Sequence, residues 1–413
     1  MGGDFVEKSL IKSRIILKLE EDIKQGNNNA LEEFWGNIEK NGAPLIEELS
    51  GDLENDLVTF IYRADEEVGN VIFIPPIGWE KFLEYKMEKL LNTNLWYITC
   101  KIKNNLRFDY TISVNDSLID SDKGWETREN NLVYDRLNKN FLVLSGEDGE
   151  EEKVSYVVMP KAEEHFWVKE RIHISKGNIE EYNFHSDKLE KDRRIRIYTP
   201  HGYKKTNKPY KFLILTDGDE YLSLLSAKNV LDNLIEDKRI SPIVVLFIDS
   251  TDTRYEELSC SDDFTDIIAS ELTPWFRKNH NISSEPKDGI IGGLSLGGLT
   301  ATYLGLKHSE VFGNVLSQSG SFWYKPKEFK EDESICWMST EFNKIEKLPL
   351  KFYLNVGILE PKDNMIGVNK KLRDVLESKG YEVKYEEFNS GHDYLCWGET
   401  LANGLIALIG DNN

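Results

Sequence analysis

The chain has 413 residues, enough for two domains or one large one with an ample core. Its composition, 40% hydrophobic and 30% charged, is that of a globular protein and excludes a fibrous or disordered one. A net charge of −21 excludes nucleic acid or an anionic membrane as a bulk partner, and an anionic ligand would need a local basic patch.

Met1-Gly2-Gly3-Asp4 leads into charged, amphipathic sequence rather than an apolar run, so no secretory signal is expected. Val6 stands where a myristoylation pattern needs Ser or Thr. No apolar stretch approaches membrane-spanning length. The expectation is a soluble cytoplasmic protein. Residues 1–50 read as a helical extension: Ser9-Leu10-Ile11 through Glu20, then Ala30 through Trp35, parted by Gly26 and three asparagines. From Val58 to Val158 short runs rich in Val, Ile, Tyr, Phe and Thr alternate sides, as in Val58–Arg63, Leu95–Cys100 and Phe108–Val114. They predict a β-sandwich-like domain over residues 51–185.

After residue 186 the pattern changes to apolar strands separated by helices. These include Phe212–Leu215, Ala227–Ile235, Ile243–Ile248, Ile267–Trp275, Ile290–Ile291, Leu299–Leu306 and Lys351–Val356. Such alternation predicts an α/β domain over residues 186–413, with a mostly parallel sheet covered on both faces and a site at its strand ends. No internal repeat is visible.

Gly293-Leu294-Ser295-Leu296-Gly297 falls at one strand-to-helix junction. There a serine is held on a sharp turn with its Oγ above the sheet, and glycines permit the close approach of strand and helix. The alternative is a plain glycine turn. A serine hydroxyl needs a base and a group to orient it. Among seven histidines, His392 lies on a glycine-containing loop after the last strand, where the serine–acid–histidine order of an α/β-hydrolase puts the base. Glu360 and Asp363, just past the strand Lys351–Val356, are the near candidates for the acid, and Asp393 is a weaker one. An oxyanion hole would draw on the Leu296 N–H and on the Asp219 N–H beyond the strand Phe212–Leu215, although a plain turn at Gly218 reads almost as well. The four cysteines form no C-x-x-C, so neither a zinc site nor a disulfide frame is signalled, and no metal or other cofactor is implied.

These residues, with Val315–Trp323, Asp249–Arg254, Glu257–Cys260, Gly391–Asp393 and Leu395–Trp397, resemble the enterochelin (ferric siderophore) esterase family. The likeness runs from about residue 55 onward. It implies a β-sandwich-like domain followed by an esterase-D-type α/β-hydrolase. It also implies hydrolysis of the ester bonds of a catecholate trilactone siderophore, releasing iron in the cytoplasm. By the same resemblance Ser295 is the nucleophile, His392 the base, Glu360 the acid and Arg254 a substrate-facing cation, while Trp323 or Phe322 would stack on a catechol ring. Arg254 in an ion pair with Asp249 or Asp252, and Trp323 as a core aromatic, are the structural alternatives. The runner-up activity is an esterase for carbohydrate-linked acetyl or feruloyl groups. A third reading is a siderophore-binding protein without catalysis. Nothing in the chain indicates its oligomeric state.

Overall fold

The computed structural model describes residues 5–76, 79–145, 151–188, 190–206, 208–330 and 336–410. The Met1–Asp4 stretch read above lies outside them. The chain divides into two compact units: residues 1–163 with 389–393, and residues 164–388 with 394–413. The first division falls upstream of the expected 185/186 boundary. The strand Asn178–Ser186 is the reason, because it pairs along its whole length with Lys191–Thr199 and so joins the second unit's sheet.

In the first unit the described strands are β1 (Val6–Lys8), β2 (Leu45–Glu48), β3 (Asn55–Arg63), β4 (Val71–Ile74), β5 (Glu88–Lys89), β6 (Leu95–Lys103), β7 (Arg107–Val114), β8 (Leu132–Val133), β9 (Phe141–Ser145) and β10 (Glu151–Val158). They form two five-stranded sheets, ordered β1-β6-β3-β2 with β5 on β6, and β4-β7-β10-β9 with β8 on β7. The pairings are antiparallel throughout, as the alternating pattern predicted. Phe60 of β3 stacks on Phe73 of β4 at 3.8 Å between ring centroids, so aromatic faces join the two sheets.

The N-terminal helices are Arg14–Lys24 and Ala30–Asn41. The first starts later than expected, because Val6–Lys8 is taken up as a strand on β6. The Ser9 N–H continues that pairing by donating to the Thr99 carbonyl. Ser13 then caps the helix, its Oγ accepting from the Ile16 N–H and donating to Glu47. Ile16, Leu19, Phe34, Trp35 and Ile38 bury against Ile61, Leu95 and Tyr97.

The second unit holds one eight-stranded sheet: β11 (Asn178–Ser186), β12 (Lys191–Thr199), β13 (Lys211–Leu215), β14 (Ile243–Ile248), β15 (Gly289–Leu294), β16 (Asn314–Gln318), β17 (Lys351–Gly357) and β18 (Glu382–Phe388). Their order is β11-β12-β14-β13-β15-β16-β17-β18. β11, β12 and β14 pair antiparallel, and all pairings from β14 to β18 are parallel. β14 and β15 are wholly buried, which explains their unbroken apolar sequences. Two cores cover the faces, one around Phe212, Phe276 and Phe312, the other around Leu213, Tyr221, Trp397 and Leu401. Strand order reverses between β13 and β15, since β14 follows on one side of β13 and β15 lies on the other. In open α/β sheets the crevice at such a reversal is where ligands bind.

Phe212 is fully buried with Phe276 and Phe312 rings about it, whereas Leu10 is fully exposed. Phe212→Ala is expected to cost about 3–5 kcal/mol and Leu10→Ala less than about 0.5 kcal/mol. Thermal unfolding of the two variants checks the contrast.

Candidate active site

Ser295 follows β15 directly and precedes the helix Leu296–Lys307. Its backbone sits at φ 55° and ψ −120°, a region that side chains rarely occupy. Hydrogen bonds over-determine that conformation. The Ser295 N–H donates to the Gln318 carbonyl at 2.8 Å, and its carbonyl accepts from the Ser321 and Leu299 N–H groups at 3.0 and 3.2 Å. The flanking glycines are a matter of space. A Cβ at Gly293 would lie 2.5 Å from the Gly297 carbonyl carbon, and one at Gly297 would lie 2.3 Å from Thr216 Oγ1. Ser295 is half-buried among fully buried neighbours. Its Oγ lies 3.2 Å from Ser321 Oγ.

The Gly297 contact also sets the neighbour across the reversal point. Thr216 and Asp217 follow β13, and Asp217 stands at the N-cap position of the short helix Gly218–Ser223 in a left-handed conformation at φ 55°. Asp219 is therefore in that helix's first turn, whose amide N–H groups have no acceptor within the helix. The Asp219 side chain turns to Arg196 at 2.9 Å. Arg254 binds the buried Asp217 through two parallel bonds, Nε to Oδ1 at 2.6 Å and Nη2 to Oδ2 at 2.9 Å. So Arg254 does stand in an ion pair, but with Asp217 rather than Asp249 or Asp252. Burial opposes its charge, and the bonds and charge of Asp217 outweigh that, holding the guanidinium above its ordinary pKa. Asp249 instead takes Arg194 and Arg196. Glu220 is pushed up by burial and by Asp217, and Tyr394 is raised to about 12 by burial and by Glu220.

Beyond β16 and β17 lies a buried polar network that the sequence did not announce. Gln318 accepts from the Tyr221 hydroxyl and donates to the Trp397 carbonyl and Thr400 Oγ1, each at 2.7 Å. Ser319, at φ 48°, donates to Glu360 Oε1 at 2.6 Å and accepts from the Trp397 indole N–H at 3.0 Å. The Gly357 N–H donates to the same Glu360 oxygen at 2.7 Å. Glu360 is thus buried within this network, while Asp363 is exposed. The sequence signals for the network were Glu360, the candidate acid, and the runs Val315–Trp323 and Leu395–Trp397, in which Gln318, Ser319 and Trp397 carried no individual role. Phe322 is entirely core, so it cannot offer a ring to a ligand; Trp323 is 40% exposed and can.

His392 lies in the segment between Phe388, the end of β18, and Tyr394, the start of the helix Tyr394–Ile409. It is exposed, whereas Gly391 and Asp393 on either side are buried. Leu296, the other expected oxyanion donor, is the first residue of the helix after Ser295. Among the described residues there is no group of three or more His, Cys, Asp or Glu placed to hold a metal ion, and no helix is long and apolar enough to cross a membrane.

A strained serine between central parallel strand and buried helix, beside the reversal point, defines a carboxylic ester hydrolase of the α/β-hydrolase type. Residues 186–408 match the Esterase family, described as "Putative esterase". The iron(III) enterobactin esterase of Escherichia coli K12 is 28% identical over 335 residues, covering 78% of this chain and 81% of that protein. The iron(III) salmochelin esterase of Escherichia coli O6:H1 is 25% identical over 419 residues, covering 96% and 98%. The crystal structure of the enterobactin esterase from Shigella flexneri in the presence of enterobactin matches with a TM-score of 0.75 at 25% identity, over 91% of this chain and 97% of that one. This chain belongs to the esterase family and is of the enterochelin esterase type.

The two elbow glycines are expected to differ in rescue. Gly297→Ala meets a side-chain oxygen, so adding Thr216→Ala restores much of the ester hydrolysis it abolishes. Gly293→Ala meets backbone, and the same second substitution leaves it inactive. Turnover of a p-nitrophenyl ester by the four variants checks this.

Proposed function

We propose that this protein is a serine esterase that hydrolyses the ester bonds of a ferric catecholate trilactone siderophore, enterobactin or a related trilactone, and so releases iron in the cytoplasm. The observation that carries the reading is the strained Ser295 at the sheet's reversal point. Alignment over most of the chain with proteins named for enterobactin and salmochelin supports the substrate class.

In this reading Ser295 Oγ attacks a lactone carbonyl carbon while His392 accepts the hydroxyl proton. Negative charge gathers on the carbonyl oxygen, where the Leu296 and Asp219 N–H groups receive it. Leu296 opens a twelve-residue helix, so the partial positive charge of that helix end points the same way. His392 then gives its proton to the departing alkoxide, and the ring opens as an acyl-enzyme. Water, deprotonated by His392, attacks the acyl carbon, and Ser295 leaves with the proton returned. Repetition cuts the trilactone into monomers. Glu360 orients the imidazole, its position held by Ser319 and the Gly357 amide.

The substrate is anionic and the protein strongly so, which makes local cations important. Two of the five Arg254 N–H groups are taken by Asp217, which fixes the guanidinium plane. Arg254 then serves as an oriented contact for catecholate oxygens, and Trp323 as a stacking face for a catechol ring.

Ser295→Ala and His392→Ala are each expected to lower trilactone hydrolysis by at least about 10³-fold. Mass spectrometry of ring-opened and monomeric products checks this on ferric and iron-free trilactone. Equal turnover of acetyl or feruloyl esters with intact trilactone would instead favour a carbohydrate esterase, and tight binding with no product a binding protein. Trp323→Ala is expected to raise KM for the trilactone about tenfold while leaving p-nitrophenyl acetate turnover unchanged.

A further inference from the structure

A second hydroxyl stands beside the nucleophile, and the cycle described above gives it no task. Ser321 Oγ lies 3.2 Å from Ser295 Oγ. Ser321 is almost wholly buried, and no other hydrogen-bond partner of its hydroxyl stands among the described residues.

The backbone fixes Ser321 in this place, just past the end of β16. Its N–H donates to the Ser295 carbonyl at 3.0 Å, and its own carbonyl accepts from the Tyr324 N–H at 3.0 Å. The residues before it are held as firmly. The Ser319 N–H donates to the Asn355 carbonyl at 3.0 Å, and the Gly320 carbonyl accepts from the side-chain amide of the fully buried Asn369 at 2.9 Å. A Cβ on Gly320 would lie 2.5 Å from Ser317 Oγ and 2.6 Å from the Phe322 ring, so the turn has no slack. A donor placed by a fixed backbone is preorganised for charge that develops opposite it.

The direction of the bond follows from the reaction. Each hydroxyl carries one proton. Ser295 gives its proton to His392 during attack, so the bond between the two oxygens then runs from the Ser321 O–H to Ser295 Oγ. The strength of that bond changes along the cycle. A hydroxyl oxygen is a fair acceptor, the alkyl oxygen of an ester a poor one, and an alkoxide a strong one. Acylation turns the first into the second, so the bond weakens. Deacylation drives the second toward the third as the bond from acyl carbon to Oγ breaks, so the Ser321 bond strengthens in the transition state.

We propose that Ser321 is a catalytic residue of deacylation: its hydroxyl donates to Ser295 Oγ as that oxygen leaves the acyl carbon with the bonding electron pair. The Ser321 proton stays on Ser321 throughout. Ser295 regains its proton from His392, which took it from the attacking water. Each ester cleavage of a trilactone ends in this step, so Ser321 governs the release of every acyl fragment. The proposal rests on the reading of Ser295 as nucleophile and His392 as base.

Pre-steady-state turnover of p-nitrophenyl acetate by the full-length protein tests it. Ser321→Ala is expected to lower kcat about tenfold and KM with it, leaving kcat/KM within about twofold. Rapid mixing is expected to show a stoichiometric burst of p-nitrophenol, and mass spectrometry of the acid-quenched, digested protein an acetyl group on Ser295. Ser321→Cys keeps a weak donor, and its kcat is expected to fall between those of Ser321→Ala and wild type. Unchanged kcat and KM in Ser321→Ala overturn the proposal. So does a loss of kcat/KM as large as the loss of kcat with no acyl-enzyme, the result of a hydroxyl that only orients the nucleophile. In either case an inactive Ser295→Ala leaves the nucleophile assignment standing. If Ser295→Ala still turns over the ester, that assignment is overturned and the role of Ser321 with it. Should Ser321→Ala fold poorly, Ser321→Cys decides by the same division between kcat and kcat/KM.

Discussion

The site depends on one close approach: the helix Leu296–Lys307 meets the end of β13 with no room for a Cβ at Gly297. That contact brings Thr216 and Asp217 against the turn carrying Ser295. The backbone bonds from Gln318 and Ser321 then hold Ser295 at positive φ. Strain of this kind costs on the order of 1–3 kcal/mol and survives only where the surroundings impose it. Here the imposing parts are the strands on both sides of β15, β16 buried throughout and β13 buried except at Lys211.

From that turn outward, the strand ends deliver successive pieces along one sheet edge. β13 supplies the Asp217–Asp219 corner, β15 the serine, β16 Gln318 and Ser319, and β17 leads to Glu360. Parallel strands make this possible, because every carboxyl end faces the same way. Two sets of polar side chains beneath the site are tied to one another. Tyr221, Gln318 and Thr400 form one chain of bonds, and Trp397, Ser319 and Glu360 another. Satisfied in this way, buried polar groups rigidify a core and do not penalise it. The charged rim is balanced similarly, with Arg254 on Asp217 and Arg196 shared by Asp219 and Asp249.

Local signals were strongest where the chemistry demands unusual residues. Gly293, Ser295 and Gly297 were legible because few other residues fit an elbow. The apolar runs that became β13, β14 and β15 were legible because buried parallel strands carry no polar face. The helix start was misjudged by several residues at Ser9–Ile11, where a strand pairing 90 residues away took the chain first. The boundary at residue 185 missed β11, which has a mostly exposed face and resembles the preceding domain's strands until its partner β12 is known. Arg254's partner was missed for the same reason: Asp217 lies 37 residues upstream, and nothing local distinguishes it from Asp249 or Asp252.

Residue order alone therefore determined the class of fold, the elbow and the short set of residues able to do ester chemistry, since these follow from local periodicity and from glycine's missing side chain. Which carboxylate is buried, which aromatic is exposed and which cation is already paired were decided only by tertiary packing. Burial and hydrogen-bond partnership depend on groups dozens of residues apart, and a linear pattern carries no measure of that distance.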